Sequence, residues 1–213
     1  MTLQELQKLF PAATETTWHQ HKNGGGWVEN TARVEESCYV GENAQVSGTA
    51  RVFGTAQVFG TAQVSGTAQV SGDAWVSGNA HLFEDAWVSG NAWVSGNAQV
   101  SENARVSGTA RVFGNALVYG NAMVSGTAWV SGTARVLGNM WSFSPLYIQG
   151  TKHAMTVCSY GKIAVGCEVH TLAEWKKDGR KIGLKNGYTK EEVREYADYI
   201  KLAEKWMKDH KVL

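Results

Sequence analysis

Proline is nearly absent from this chain, 2 of 213 residues, and cysteine is scarce at 3. The odd set Cys38, Cys158 and Cys167, with no CxxC spacing, indicates neither a disulfide framework nor a zinc knuckle, and all three are expected to be buried thiols. Charged residues make up only 18% against the roughly 25% of an average soluble domain. With a formal net charge of +1 there is no basic excess for neutralising phosphates, so a nucleic-acid partner is not expected. No apolar run approaches the roughly 18 residues that a membrane-spanning helix needs, and Met1–Phe10 lacks the basic start and apolar stretch of a signal peptide. These absences predict a cytoplasmic protein with no membrane partner.

What the chain has instead is 24 Gly, 9 Trp and a repeat of six. From Val28 to Val136 every sixth residue is aliphatic, nineteen in succession, all Val except Leu82. Four residues after nearly every one sits a small residue, Ala44 through Ala134, with Cys38 and Met140 as departures near the ends. Between them lie two turn residues, commonly Gly then Asn, Thr or Asp, as at Gly78-Asn79, Gly108-Thr109 and Gly72-Asp73.

In a unit such as Asn103-Ala104-Arg105-Val106-Ser107-Gly108, strand alternation puts Ala104 and Val106 on one face and Arg105 and Ser107 on the other. The Gly pair supplies the positive φ that a corner needs. Three such sides make an 18-residue coil, and because one coil cannot bury its inner face alone, coils must stack into a solenoid. The prediction is a mainly β fold: a triangular parallel solenoid of about six coils, roughly 30 Å long at the ~4.8 Å strand spacing. It occupies residues 28–140, with a capping helix and lead-in over 1–27 and a small α+β cap over 141–213.

The end segments differ in character. Thr2 with Glu5 forms a capping box before a short helix that Pro11 stops, and this helix is expected to cover the first coil. After Val136 the pattern breaks at Met140-Trp141-Ser142-Phe143. His153–Cys158 and Ile163–Val169 read as two strands joined around Tyr160-Gly161. Thr171/Glu174 and Thr189/Glu192 are further capping boxes, the second opening a helix with Val193, Tyr196, Ala197, Ile200, Ala203 and Met207 on one face. From Lys152 onward basic residues outnumber acidic ones 13 to 9, whereas residues 28–140 hold 5 basic against 8 acidic.

The aliphatic, turn-pair and small-residue pattern resembles the hexapeptide repeat of left-handed parallel β-helix proteins over more than half the chain. Left-handedness is what the resemblance implies. The lead-in His19-Gln20-His21-Lys22-Asn23-Gly24-Gly25-Gly26-Trp27-Val28, followed by unbroken coils, is similar to hexapeptide-repeat proteins of bacteria, phages and prophages labelled transferase-like or polymer-forming. The resemblance implies either a phage- or prophage-encoded binding protein, acting in the host cytoplasm on a host protein or a nucleotide signal, or an acyltransferase with a CoA-type donor. End-to-end polymers are disfavoured because both ends carry capping segments.

Sorting outward residues by side gives the site candidates. One side reads Tyr39, Gln57, Trp75, Trp93, Arg111, Trp129 and Tyr147, with Phe59 and Phe113 beside it. The second reads Arg33, Arg51, Gln69, Trp87, Arg105, Met123 and Trp141, and the third Trp27, Gln45, Gln63, His81, Gln99, Leu117 and Arg135. Exposed aromatics at this density mark an interface, and a homo-oligomer contact is expected on the aromatic side. A ligand platform, or a ladder that only ties neighbouring coils together, are the other readings.

In acyltransferases of the resembling family a histidine near a subunit boundary acts as general base, which points to His81, where Phe83-Glu84-Asp85 breaks the repeat. The chain lacks the long loop insertion that such enzymes use, and a non-enzymatic role with no cofactor is favoured. His19 and His21, with His153 or His170, are the weak metal candidates. The Gly24–Gly26 run lacks the Lys-Ser/Thr of a phosphate loop and is expected to set the path into the first coil. Threonines at corners such as Thr49 and Thr55 are not ranked on a flat side, which argues against an ice-binding face.

Overall fold

A computed structural model describes all 213 residues. Each hexad contributes a strand of two or three residues, and each strand pairs in parallel and in register with the strand one coil on, as in Trp75↔Trp93, His81↔Gln99 and Trp87↔Arg105 on the three sides. The stack is six strands deep on the aromatic side and seven on the second. Valines and alanines from all three sides merge into one core of 48 buried residues, which continues into the C-terminal cap. Such short strands hold because each sends its aliphatic side chain into a shared interior while their amides bond to the adjacent coil.

The corners explain the glycine content. Gly96 sits at φ +68°, and a Cβ there would lie 2.9 Å from the backbone nitrogen of Gly114 in the next coil. Glu84 and Glu102 occupy equivalent corner positions with φ of 58° and 56°. This conformation costs a non-glycine residue about 1–2 kcal/mol. At Glu84 the cost is offset locally, because its Oε2 accepts the amide hydrogen of Glu102 at 2.8 Å. The break in the repeat after His81 is therefore a corner variant. Other corners carry side-chain ladders: Asn79 donates to Asn97 (2.9 Å), which donates to Asn115 (3.0 Å).

Helix α1 (Leu3–Leu9) carries the expected Thr2/Glu5 capping box. It lies on the outside of the third side, where Leu6, Ala13, Trp18 and Trp27 form a separate small core and the Trp27 indole donates to the Met1 carbonyl at 3.0 Å. The lead-in itself covers the first strands of the third and aromatic sides. Trp18–Gln20 pairs antiparallel with Trp27–Glu29. The glycine run lies along the first strand of the aromatic side, with Val40 donating to Asn23 (3.0 Å) and Gly26 donating to Val40 (2.8 Å). A strand edge needs backbone partners, which an extended segment supplies and a helix flank does not.

At the other end the period slips. The outward partner of Met123 is Met140 and the inward partner of Val124 is Trp141, a spacing of 17 residues. Asn139 absorbs the missing residue at φ 62°. A one-residue slip exchanges the faces of a strand. Trp141, expected outward, is therefore fully buried and plugs the last coil, while Met140 is 60% exposed.

The chain then forms a four-stranded antiparallel sheet, Tyr147–Gln149, Ala154–Ser159, Lys162–Val165 and Glu168–Thr171. The expected strand Ile163–Val169 is thus divided, because Gly166 turns the chain at φ +57°. Helices α2 (Leu172–Lys185) and α3 (Lys190–Asp209) both begin with the anticipated capping boxes and pack Leu172, Trp175, Tyr196, Ile200, Ala203 and Met207 into the core. Cys38 and Cys158 are buried, but Cys167, at the tip of the Gly166 turn, is exposed. No helix is long and apolar enough to cross a membrane.

Candidate functional site

The aromatic side carries an ordered column of side chains. Trp75 and Trp93 stack face to face with centroids 4.9 Å apart and planes within 1° of parallel. The Arg111 guanidinium follows, 4.7 Å from the Trp93 ring and 5.2 Å from the Trp129 ring, so a cation is held between two indoles. Phe59 meets Trp75 edge-on and Phe113 meets Trp129 edge-on, both at 6.0 Å. In-register pairing dictates this arrangement: identical positions on successive strands are one strand spacing apart, close to ring-stacking distance.

Stacking does not hide the column. Trp93 is 40% and Trp129 52% exposed, and Tyr39 is exposed at the far end beyond Gln57. Tyr147, expected as a seventh rung, is not one. After the slip at Asn139 the 18-residue count no longer applies, and Tyr147 instead pairs with Thr156 in the antiparallel sheet, its hydroxyl 2.6 Å from Gln149 Oε1.

His81 sits on the third side between Gln63 and Gln99, exposed and without a side-chain hydrogen bond. It faces an open groove whose other walls include Glu5 and Leu9 of the α1 segment. No second group orients the imidazole, as a positioned general base would require. His19 and His21 point to different partners: His19 Nδ1 meets Asn30 Oδ1 at 2.7 Å, while buried His21 meets the Cys38 carbonyl at 3.0 Å. His153 and His170 are in the C-terminal cap, so the four histidines do not converge.

The cap contains a feature that the residue patterns did not suggest. A cavity of about 340 Å³ opens between α2, α3 and the Gly166 turn. Its aromatic wall is fixed by hydrogen bonds: the Trp175 indole donates to the Ile163 carbonyl (2.8 Å), the His153 amide donates to the Tyr196 hydroxyl (2.7 Å), and Tyr188 shares a bond with His153 Nδ1 (2.7 Å). Burial and the adjacent Tyr196 push the Tyr188 phenol up to about 12, so it keeps its proton. Glu168 is held below the usual carboxylate range by His170 and then Asn186, and Glu204 is lowered by Lys176 and Lys208. The one sequence signal for this cavity is the pair Gly179 and Gly183 inside α2, where glycine weakens a helix.

Compared with known proteins, residues 110–126 and 118–132 match the YdcK beta solenoid repeat. No curated protein and no solved structure matches the chain. The repeat match and the architecture together make this a β-solenoid repeat protein.

Proposed function

We propose that the protein is a non-enzymatic binding scaffold, a rigid solenoid that associates with a second copy of itself through its aromatic side. The observation that carries this reading is the Trp75–Trp93–Arg111–Trp129 column, half-buried at Trp75 and exposed from Trp93 onward. Tryptophan and arginine dominate the energetics of protein interfaces. Here they are stacked in the free chain, so little rotamer freedom is lost on association. A two-fold contact would set one column against its copy, the commonest symmetry of homo-oligomers. A phage or prophage origin, with a host protein or nucleotide captured in the host cytoplasm, is the wider form of this proposal.

The test is the mass in solution. The parent is expected to be oligomeric by light scattering, and Trp75, Trp93 and Trp129 changed together to Gln should leave a folded protein of lower mass. A tryptophan at an interface core typically contributes about 2 kcal/mol or more. Gln57 already occupies this column, so the strand tolerates the residue. Gln63→Ala with Gln99→Ala on the third side is the control and should change nothing. A monomeric parent, or an unchanged oligomer in the triple variant, refutes the assignment.

The alternative, an acyltransferase with a CoA-type donor, rests on His81. We expect no turnover with acyl-CoA donors. Turnover that disappears in His81→Ala while the fold persists would replace the scaffold reading.

A further inference from the structure

The cavity in the C-terminal cap shares no lining residue with the aromatic column. At about 340 Å³ it falls within the range of small-molecule sites, roughly 300–1,000 Å³. Its floor is apolar: Trp175 and Ile182 from α2, with Val193, Tyr196 and Ile200 from α3. Gly179 and Gly183, one turn apart on α2, leave the floor uncovered where larger side chains would fill it. Gly183 lies close to α3, for a Cβ there would be 3.0 Å from Val193, whereas a Cβ at Gly179 would meet only the Trp175 ring at 3.4 Å.

The rim is selective in charge. Its carboxylates are already occupied: Glu168 accepts from His170 and Asn186, and Glu204 accepts from Lys176 and Lys208. Lys201 is paired with Asp198. Arg180 alone among the charged rim residues has neither an ion-pair nor a hydrogen-bond partner, and its five donors suit a planar anion. Lys176, Arg180 and Lys201 against Glu168 and Glu204 leave the rim net positive.

We infer that this cavity is a binding site for a small amphipathic anion, an apolar body seated on Trp175, Ile182, Val193 and Ile200 with one carboxylate or sulfonate against Arg180. An apolar body gains from leaving water for a preformed apolar floor, and a charged head at the mouth keeps its hydration on one side while taking hydrogen bonds from the guanidinium. Nothing in this assignment depends on self-association, and either could fail without the other.

The probe is 8-anilinonaphthalene-1-sulfonate, an anionic aromatic amphiphile, titrated by fluorescence into the native full-length protein. Saturable binding at one site per chain is expected. Gly179→Leu should fill the cavity and abolish that signal, while the better helix former keeps the melting temperature at or above the parent's. Arg180→Gln should weaken the probe about tenfold, the scale of one lost charge-assisted bond.

Decanoate should displace the probe, and decanol, with the same chain length but no charge, should do so at least tenfold less well. Bound probe should also slow alkylation of Cys167, the one exposed cysteine, which lines the mouth. The Trp75/Trp93/Trp129→Gln variant should bind the probe as the parent does. Probe binding that survives Gly179→Leu, is lost in the triple tryptophan variant, or leaves Cys167 alkylation unchanged overturns the site. Equal displacement by decanoate and decanol overturns its anionic character.

Discussion

Val94→Asp is expected to prevent the chain from folding. Val94 is fully buried at mid-stack, paired with Val76 on one side and Val112 on the other. The core around it is built of valines, alanines and Leu82, so the carboxylate would find neither a cation nor a hydrogen-bond donor. An unpaired charge in such surroundings costs several kcal/mol, against the 5–15 kcal/mol that hold a typical domain together. The effect is larger here than in a globular core because each coil touches only its neighbours. Disrupting the middle coil leaves two short stacks, each with a raw end. Soluble V94D protein with the parent's β-rich circular dichroism would refute the inward placement of the valine column.

The next largest effect is expected at the end of the stack. Trp141→Ala should destabilise the protein by about 3–5 kcal/mol, the usual range for emptying a buried tryptophan site. Its ring meets Phe143 and Tyr160 edge-on, and its indole donates to the Gly138 carbonyl at 3.0 Å. Met140→Ala, at an exposed neighbouring position, should fall within about 0.5 kcal/mol of the parent. Denaturant melts of the two variants test the register directly: an uninterrupted six-residue count, which puts Trp141 outside, predicts the reverse order.

That slip shows where reading the residues reached and where it stopped. The inward column was legible because one rule, an aliphatic every sixth residue, is restated nineteen times, and only Val34, at the open first edge of the second side, is less than fully buried. The outward sorting was legible for the same reason up to Arg135. Beyond it, a single missing residue between Val136 and Trp141 moves every later side chain, and it leaves little trace apart from Met140 in the slot that elsewhere holds a small residue.

The three capping boxes announced the helix starts because capping is local chemistry over four residues. Where α1 packs was not local, and the helix proved to lie on the flank of the solenoid. The cap cavity was less legible still. Its walls come from His153, the Gly166 turn, α2 and α3, which no spacing rule connects. Only the two glycines inside α2 hinted at it.

The solenoid obeys two different periods at once, and this constrains how such a chain can change length. The interior repeats every six residues, since every side presents the same valine and alanine to the core. The surface repeats every eighteen, since Trp93 stacks on Trp75 and Asn97 bonds Asn79 only if a full coil separates them. Deleting one hexad would leave the core well filled yet carry every later outward residue to the adjacent side, splitting the tryptophan column and the asparagine ladder. Removing or duplicating eighteen residues would preserve both. A change of length by whole coils therefore keeps both periods in step, while a step of six keeps the core filled and breaks the outward columns.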